Sequence, residues 1–291
     1  MSHNPIIVIT GATSGLGQIA AMNMARQGAH LVLTARNKEK ATETLIRIHE
    51  IAPSAQVDFF YGDLSLMKDV RRLGLEILAA FHKIDVLVNN AGLHAFEQRV
   101  TIEGFPEMIA VNYLAPWLLS QTLQPSLQNA GTARIVNVAS EAARNHGILK
   151  LPEDLTDTTP FTSRGSSAIY GKTKLFNIMF SAELSRRLEG TGIRVNALNP
   201  GFNVTGLGRE LWFASVLERI LKLLRIGDPR KGADIITRLA VDPKYQFTTG
   251  GYFNVVTGDP IQPVYPGEDS DQQNMLWKAT ENLLIQKGIT Y

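Results

Sequence analysis

The chain of 291 residues contains no cysteine, and this absence excludes disulfide bonds, zinc–thiolate sites and a cysteine nucleophile. It has no apolar run long enough to cross a bilayer, and residues 1–5 are too polar and too few for a signal peptide. The formal net charge is only +2, and no block of lysine and arginine indicates a nucleic-acid surface. No group of histidine, aspartate and glutamate has metal-ligand spacing, so we predict no metal site. We therefore expect a cytoplasmic globular protein and, without any break in composition, a single domain over residues 1–291.

The strongest local pattern lies at the start of the chain, where an apolar run at 6–9 leads into T-G-A-T-S-G-L-G. The run is typical of a strand buried on both faces of a parallel sheet, and a helical pattern starts by Leu16. Gly11 permits a tight bend, Gly15 lets a pyrophosphate approach, and Gly17 lets the helix pack against the strand. Because the turn directs N–H groups and the helix dipole at one point, it predicts a phosphate site; a turn without a ligand is the alternative. The predicted contacts are Gly11, Thr13, Ser14, Gly15, Leu16 and Gly17.

The second and third strands end in residues that suit the rest of a dinucleotide. Many dinucleotide-binding folds have an acidic residue about 20 positions after the glycine turn, where it binds the ribose hydroxyls. Here Arg36 follows the strand at 30–35, and a guanidinium suits a 2′-phosphate, so we predict NADP(H) rather than NAD(H). A solvated basic helix start is the alternative. After the strand at 57–61, we predict Asp63 and Leu64 beside the adenine, although Asp63 also suits the cap of the next helix.

Strands and helices alternate along the rest of the chain. This alternation predicts an α/β fold of the Rossmann type, a doubly wound, seven-stranded parallel sheet with helices on both faces. A long helical region is predicted over 101–129, divided at Pro116 and Pro125, and the connection 141–165 is predicted to be irregular. The other predicted strands are 84–88, 133–138, 194–198 and 251–256, and the other helices are 38–51, 66–81, 166–188, 207–225, 229–241 and 271–286.

Three residues suit acid–base chemistry. Tyr170 and Lys174 are spaced i, i+4 and therefore share one face of a helix. A tyrosine hydroxyl has a pKa near ~10, and a lysine cation beside it, together with a positive nicotinamide ring, is expected to lower that pKa. Ser140 follows a strand at its carboxyl end, where open α/β sheets bind ligands, and its hydroxyl can polarise a carbonyl. A Tyr-x-x-x-Lys pair alone is common by chance, so the assignment depends on the other motifs.

Taken together, these motifs resemble the short-chain dehydrogenase/reductase family over nearly the whole chain. The family's order is matched by the glycine turn, N-N-A-G at 89–92, Asn112, Ser140, Tyr-x-x-x-Lys at 170–174 and Pro200-Gly201. Within the family, the chain looks most like the retinol dehydrogenase branch. Three features carry this resemblance: the long gap between Ser140 and Tyr170, the run L-S-R-R-L-E-G-T-G at 184–192, and G-Y-F at 251–253. The resemblance implies an NADP(H)-dependent oxidoreductase that transfers hydride between nicotinamide and a carbonyl/alcohol pair, as a homodimer or homotetramer.

The resemblance also implies a role for each matched residue. Tyr170 would be the general acid/base, and Ser140 would orient the carbonyl. Lys174 would hold the nicotinamide ribose, and Asn112 would position a water in a proton relay. The implied dinucleotide contacts beyond those above are Asn90, Ala91, Gly92, Tyr170, Lys174, Pro200, Gly201 and Thr205.

The resemblance further divides the domain into a dinucleotide-binding part, about 1–140, and a catalytic and substrate-binding part, about 140–291. The chain departs from the family at Asn203, where a branched apolar residue is usual. The family's retinoid members carry an N-terminal membrane anchor, whereas this chain starts directly at the first strand. We therefore expect a soluble enzyme or one in peripheral contact with a membrane.

The segment 207–225 bears on the substrate. It carries a wide apolar stripe with Trp212 and Phe213, edged by basic residues. An ordinary amphipathic helix explains the periodicity, while a lid over an apolar substrate, also able to touch a membrane, explains the width. On the second interpretation, the enzyme prefers bulky apolar aldehydes or ketones.

Two other functions stay open at this point, and a few residues have no assigned role. The chain could be a non-catalytic NADP(H) sensor on the same fold, or a relative of the light-dependent protochlorophyllide reductases. Tyr113, Trp117 and Phe176 are expected to pack between helices or subunits. His94 and His146 are expected either in the substrate cleft or at the surface.

Overall fold

The computed structural model describes residues 4–201 and 228–291 of the chain. Within them, seven strands form one parallel sheet in the order β3-β2-β1-β4-β5-β6-β7. The order changes direction between β1 and β4, which is the point where doubly wound sheets bind ligands. The predicted Rossmann-type α/β fold is confirmed. The strands are β1 (Ile6–Ile9), β2 (His30–Ala35), β3 (Val57–Tyr61), β4 (Val86–Asn89), β5 (Ala133–Val138), β6 (Ile193–Leu198) and β7 (Tyr252–Phe253).

Successive strand residues point to opposite faces of the sheet, so both faces carry apolar side chains, and helices cover both. Along β1, Val8 belongs to one apolar cluster, while Ile7 and Ile9 belong to the other. All three are fully buried, and each such side chain contributes about 1.5–3 kcal/mol of hydrophobic free energy. The helices are α1 (Gly15–Arg26), α2 (Lys38–Ile51), α3 (Met67–Ala80), α4 (Glu107–Ile109), α5 (Ala115–Thr122), α6 (Gln124–Gln128), α7 (Ser163–Arg187), α8 (Pro229–Val241) and α9 (Ser270–Gln286).

Helices α3, α5, α7 and α9 contribute to the cluster around Val8, and α1, α2 and α8 contribute to the cluster on the opposite face. The packing role expected for Tyr113, Trp117 and Phe176 is confirmed, because all three are completely buried in the first cluster.

The helix predicted over 101–129 begins later than expected. Residues 101–106 form a turn in which Val100 pairs with Pro106 and Gly104 has a φ of +82°. Helical structure starts at Glu107 and passes through a π-helical turn, Ala110–Leu114, before α5. The predicted divisions are confirmed, because Pro116 and Pro125 lie in the first turns of α5 and α6. A proline is tolerated there, since first-turn N–H groups have no partner inside the helix.

Two other predicted boundaries are corrected. The last strand, predicted over 251–256, contains only Tyr252–Phe253. It ends in a turn at Asn254, whose backbone oxygen accepts from Gly258 N and whose Oδ1 accepts from Val256 N. Helix α7 begins at Ser163, three residues before the predicted start. The predicted helix at 207–225 lies outside the described residues.

The connection 141–165 contains two short 3₁₀ helices, Glu141–Asn145 and Glu153–Leu155, and its last three residues begin α7; the rest is irregular as predicted. A buried ion pair fastens it to α7: Lys172 Nζ donates to Asp154 Oδ1 at 2.5 Å. The side chains are 11% and 5% exposed, and Asp154 Oδ2 also accepts from Lys150 N at 2.6 Å. The connection is therefore held to the helix that carries Tyr170.

Candidate active site

The glycine turn, residues 10–17, has the geometry that its sequence predicts. Gly11 has a φ of +68° and Gly15 a φ of +57°, a region that other residues rarely adopt. A Cβ atom on Gly17 would lie 2.3 Å from Asn90 Nδ2 and 2.4 Å from Gly11 O. Helix α1 starts at Gly15, and its N-cap Ser14 makes no side-chain cap bond to the first-turn N–H groups, which have no partner inside the helix.

The end of β4 braces this turn from the side. Asn90 Nδ2 donates to Thr10 O at 3.0 Å and to Gly11 O at 3.2 Å. Thr10 Oγ1 accepts from the backbone N–H groups of Asn90 and Ala91, both at 3.0 Å. The structure therefore places the Asn90 amide on the glycine turn, while its predicted contact with a ribose stays a prediction.

Arg36 and Asp63 are brought together at the ends of β2 and β3. Arg36 Nη1 lies 3.7 Å from Asp63 Oδ2, and the arginine side chain is 73% exposed. Asp63 Oδ1 accepts from Ser65 N at 2.9 Å, in the manner of a turn cap before α3. Leu64 is half-buried against the core cluster. The predicted capping role of Asp63 is thus observed, its contact with an adenine stays a prediction, and the Arg36 side chain at the end of β2 faces solvent.

The buried Tyr170 and Lys174 and the half-buried Ser140 form one group where α7 crosses the carboxyl end of β5. Ser140 caps the 3₁₀ helix at 141–145, and its Oγ accepts from Ala142 N at 3.2 Å. Ser140 is near enough to the Tyr170 hydroxyl to oppose the rise in its pKa. Lys174 Nζ lies 5.7 Å from the centre of the Tyr170 ring and donates to Val138 O at 2.8 Å. The three predicted residues therefore meet, with Tyr170 and Lys174 only 8% and 4% exposed.

Burial governs the proton affinities of this group. It raises the pKa of Tyr170 to about 12, against the opposing effect of Ser140. It lowers the pKa of Lys174 from 10.5 to about 8, because the ammonium is removed from water. The sequence-based expectation of a lowered tyrosine pKa included the charge of a nicotinamide ring. In the protein alone, desolvation is the largest effect on the Tyr170 pKa, and the tyrosine is held in its neutral form.

Asn112 lies in the π-helical turn and is completely buried. Its side chain holds both backbone groups of one residue: Oδ1 accepts from Leu93 N at 2.8 Å and Nδ2 donates to Leu93 O at 2.9 Å. A Cβ atom on Gly92 would lie 3.3 Å from Lys174 Nζ and 3.5 Å from Asn112 Oδ1. The asparagine therefore lies beside the lysine, as its predicted relay role requires, and it also fixes the chain that follows β4.

The carboxyl end of β6 is tied to the Ser140 segment by a residue that the sequence analysis missed. Asn199 Oδ1 accepts from Glu141 N at 3.2 Å and from Gly201 N at 2.9 Å. Its Nδ2 donates to Glu141 Oε2 at 3.1 Å. The signal in the sequence is an amide directly before Pro200-Gly201, at the end of a strand. Gly201 has a φ of +76°, and predicted Thr205 lies outside the described residues.

The two histidines without an assigned role have different positions. The His94 ring stacks on the Tyr170 ring, with centroids 4.7 Å apart and planes 14° apart. His146 lies outside this group, and its Nε2 is 3.1 Å from Tyr265 O. No spacing in the sequence distinguishes them, because the contact of His94 joins residues 76 positions apart.

Two features are absent from residues 4–201 and 228–291. No helix in these ranges is long and apolar enough to span a membrane. Within the same residues, no group of three or more histidine, aspartate or glutamate side chains could hold a metal ion.

Comparisons with known proteins identify the family. A family model described as short chain dehydrogenase matches residues 5–151. Human retinol dehydrogenase 14 is 30% identical in an alignment of 297 residues, and the alignment covers 97% of this chain and 86% of that protein. Human polyprenol dehydrogenase is 30% identical over 283 residues, covering 94% and 83%. The structure of 3-ketoacyl-(acyl-carrier-protein) reductase from Brucella melitensis, complexed with NADH, matches with a TM-score of 0.66 and 27% identity, covering 86% of this chain and 96% of that one.

The family match spans half of the chain, and relatives similar along nearly its whole length include retinol dehydrogenases. With the seven-stranded parallel sheet, these findings show that the chain belongs to the short-chain dehydrogenase/reductase family, as an oxidoreductase of CH–OH and C=O groups that resembles the retinol dehydrogenases.

Proposed function

We propose that the chain is an NADP(H)-dependent reductase or dehydrogenase of bulky apolar carbonyl/alcohol pairs. The observation that carries the proposal is the meeting of Tyr170, Ser140 and Lys174: Lys174 Nζ lies 5.7 Å from the centre of the Tyr170 ring, and Ser140 is near enough to act on the tyrosine pKa. These groups supply a proton donor, a carbonyl-polarising hydroxyl and a cation within one small volume. The proposed division of labour places dinucleotide binding in about 1–140 and catalysis in about 140–291.

In the reducing direction, the substrate oxygen lies between the hydroxyls of Ser140 and Tyr170. The Ser140 oxygen already accepts from Ala142 N, so its single proton is available to polarise the carbonyl. Tyr170 gives its proton to that oxygen while the carbonyl carbon gains hydride, which a bound nicotinamide supplies. The phenolate left behind is costly in a buried site, and the ammonium of Lys174 stabilises it. In the oxidising direction, Tyr170 takes the alcohol proton.

The residues of the first half fit a dinucleotide. The glycine turn has positive φ at Gly11 and Gly15, and the uncapped start of α1 offers N–H groups and the positive end of its dipole to a pyrophosphate. Asp63 lies at the end of β3, where an adenine amino group is expected. Gly92 brings the backbone after β4 close to Lys174 and Asn112, where a Cβ atom would lie 3.3 Å from Lys174 Nζ, and Lys174 would hold the ribose there.

The choice of NADP(H) rests on Arg36. Its guanidinium is exposed at the end of β2, and a carboxylate is absent from that strand end. A guanidinium binds a phosphate through two hydrogen bonds. Wild-type kcat/KM should therefore be higher with NADPH than with NADH, and Arg36→Asp should reverse this preference. Arg26→Asp, the same charge change at the far end of α1, is the matched control. Equal use of both dinucleotides by the wild type would remove the argument from Arg36.

The catalytic part of the proposal is tested with Tyr170→Phe, which removes one hydroxyl. We expect kcat to fall by at least about 10²-fold, with little change in the dissociation constant for NADPH. Tyr265→Phe, at a tyrosine that is 68% exposed, is the control. Retained turnover in Tyr170→Phe would exclude this tyrosine as the proton donor. Tight NADPH binding by the wild type, without oxidation over a broad carbonyl panel, would instead support a sensor.

The apolar substrate class is supported by relatives named for retinol and polyprenol, both long isoprenoid alcohols. Burying one methylene is worth about 0.8 kcal/mol, or about fourfold in kcat/KM. Along the straight-chain aldehydes from butanal to dodecanal, kcat/KM should therefore rise until the pocket is filled. A flat or falling series would contradict the apolar preference while leaving the catalytic assignment intact.

A further inference from the structure

We propose that His94 is a positioning residue for Tyr170, acting through its ring. The proposal rests on the proposed function, because it assigns His94 a role in holding the tyrosine that transfers the proton. The ring centroids are 4.7 Å apart and the planes are nearly parallel, at 14°. A tyrosine ring that turned about its side-chain bonds would lose this contact and move its hydroxyl away from Ser140.

His94 is itself fixed to the same helix one turn earlier. Its Nε2 lies 3.1 Å from Ser166 Oγ, and Ser166 is completely buried in α7. The Ser166 hydroxyl donates its single proton to Ser163 O at 2.8 Å. Its oxygen therefore accepts at His94, which places a proton on Nε2. Because Ser166 and Tyr170 are four residues apart on one helix face, the histidine spans two successive turns of α7.

Residues before and after His94 in the chain help to hold it as well. Both backbone groups of Leu93 are bound by the Asn112 side chain, at 2.8 and 2.9 Å. On the other side, the Phe96 ring lies 4.7 Å from the His94 ring at an angle of 31°. A continuous set of contacts thus runs from Asn112 through Leu93 and His94 to Tyr170. Stacked rings of this kind favour one arrangement over others, and catalysis is sensitive to small displacements of the reacting groups.

The test separates the ring from the hydrogen bond. His94→Ala removes both and should lower kcat by about tenfold or more, using NADPH and decanal, with the NADPH dissociation constant and Tm close to wild type. His94→Phe keeps a stacking ring and should restore kcat to within about threefold of wild type. His146→Ala, at a histidine whose Nε2 contacts Tyr265 O, is the matched control and should leave kcat unchanged. If His94→Ala does not fold, His94→Leu fills the same space without a ring and answers the same question.

A double-mutant cycle shows whether His94 acts through Tyr170. In the Tyr170→Phe background the hydroxyl is already gone, so His94→Ala should produce little further loss of kcat. A wild-type kcat in His94→Ala, failure of His94→Phe to restore activity, or full additivity in the cycle would each overturn the positioning role. Failure of the proposed function has a different signature, because Tyr170→Phe alone would then retain its turnover.

Discussion

Replacing Lys174 with methionine should stabilise the protein while removing its activity. The ammonium is 4% exposed, and burial lowers its pKa from 10.5 to about 8. At about 1.4 kcal/mol per pKa unit, the folded chain disfavours the protonated lysine by about 3 kcal/mol at neutral pH. The hydrogen bond to Val138 O returns about 1 kcal/mol. We therefore expect Lys174→Met, in the absence of dinucleotide, to raise the free energy of unfolding by about 2 kcal/mol.

The pH dependence provides an internal check. Because the folded-state pKa lies below the unfolded value, the unfolded chain binds more protons between about pH 8 and pH 10.5, and wild-type stability from this group rises across that window. Lys174→Met lacks this contribution, so its advantage should be full below about pH 8 and shrink above it. Urea unfolding of both proteins at pH 7, 8, 9 and 10 measures the difference.

The matched control lies two residues away on the same helix. Lys172 is also buried, but its ammonium is paired with the buried carboxylate of Asp154. Lys172→Met leaves that carboxylate without its cation and should cost about 3 kcal/mol or more. The two substitutions should therefore change stability in opposite directions. A destabilised Lys174→Met at pH 7, or a stability difference that does not vary with pH, would refute the reasoning from desolvation.

Two further predictions concern stability. Gly17→Ala should lower both Tm and the affinity for NADPH, because its Cβ would meet Asn90 Nδ2 and Gly11 O within 2.4 Å. Thermal melts and a binding titration measure these effects. An unchanged Tm together with an unchanged affinity would contradict the packing argument. Tyr113→Phe and Thr280→Val each remove one side of a buried hydrogen bond of 2.7 Å, in which the threonine proton is already donated within its own helix. Thr280→Val should lower the free energy of unfolding by about 1–3 kcal/mol, because it leaves the buried tyrosine hydroxyl without an acceptor, whereas Tyr113→Phe should lower it by about 1 kcal/mol. Chemical denaturation measures both losses, and equal losses would contradict this assignment of donor and acceptor.

The features that could be predicted from the sequence are those with a local signal. The buried strand at 6–9 is a continuous apolar run, and glycines with positive φ lie where the turn requires them. The spacing of Tyr170 and Lys174 places them on one helix face irrespective of the rest of the fold. These signals also carried the family resemblance, which the comparisons confirm.

Three features differ from the prediction or were not predicted: the turn at 101–106, the stacking of His94 and the direction of the Tyr170 pKa shift. The last two depend on contacts that no local pattern encodes. The turn at 101–106 contains Gly104 and Pro106, which disfavour a helix, and Val100 pairs with Pro106 across it. The stacking of His94 on Tyr170 depends on how the chain after β4 meets α7, which becomes visible only in three dimensions. The direction of the tyrosine pKa depends in the same way on burial, which sequence spacing does not measure.

The bracing of the glycine turn by Asn90 has a consequence for how the protein acquires its shape during synthesis. The four hydrogen bonds that join Thr10 and Gly11 to Asn90 and Ala91 link residues 79 to 81 positions apart. A nascent chain that has not yet delivered β4 contains the whole glycine motif but lacks the groups that hold it in place. Closing a loop of this length is a slow, entropically costly event, so local motifs form before it does. We therefore expect the dinucleotide to stabilise a late state of folding, after β4 has joined β1, rather than to nucleate the first half of the fold.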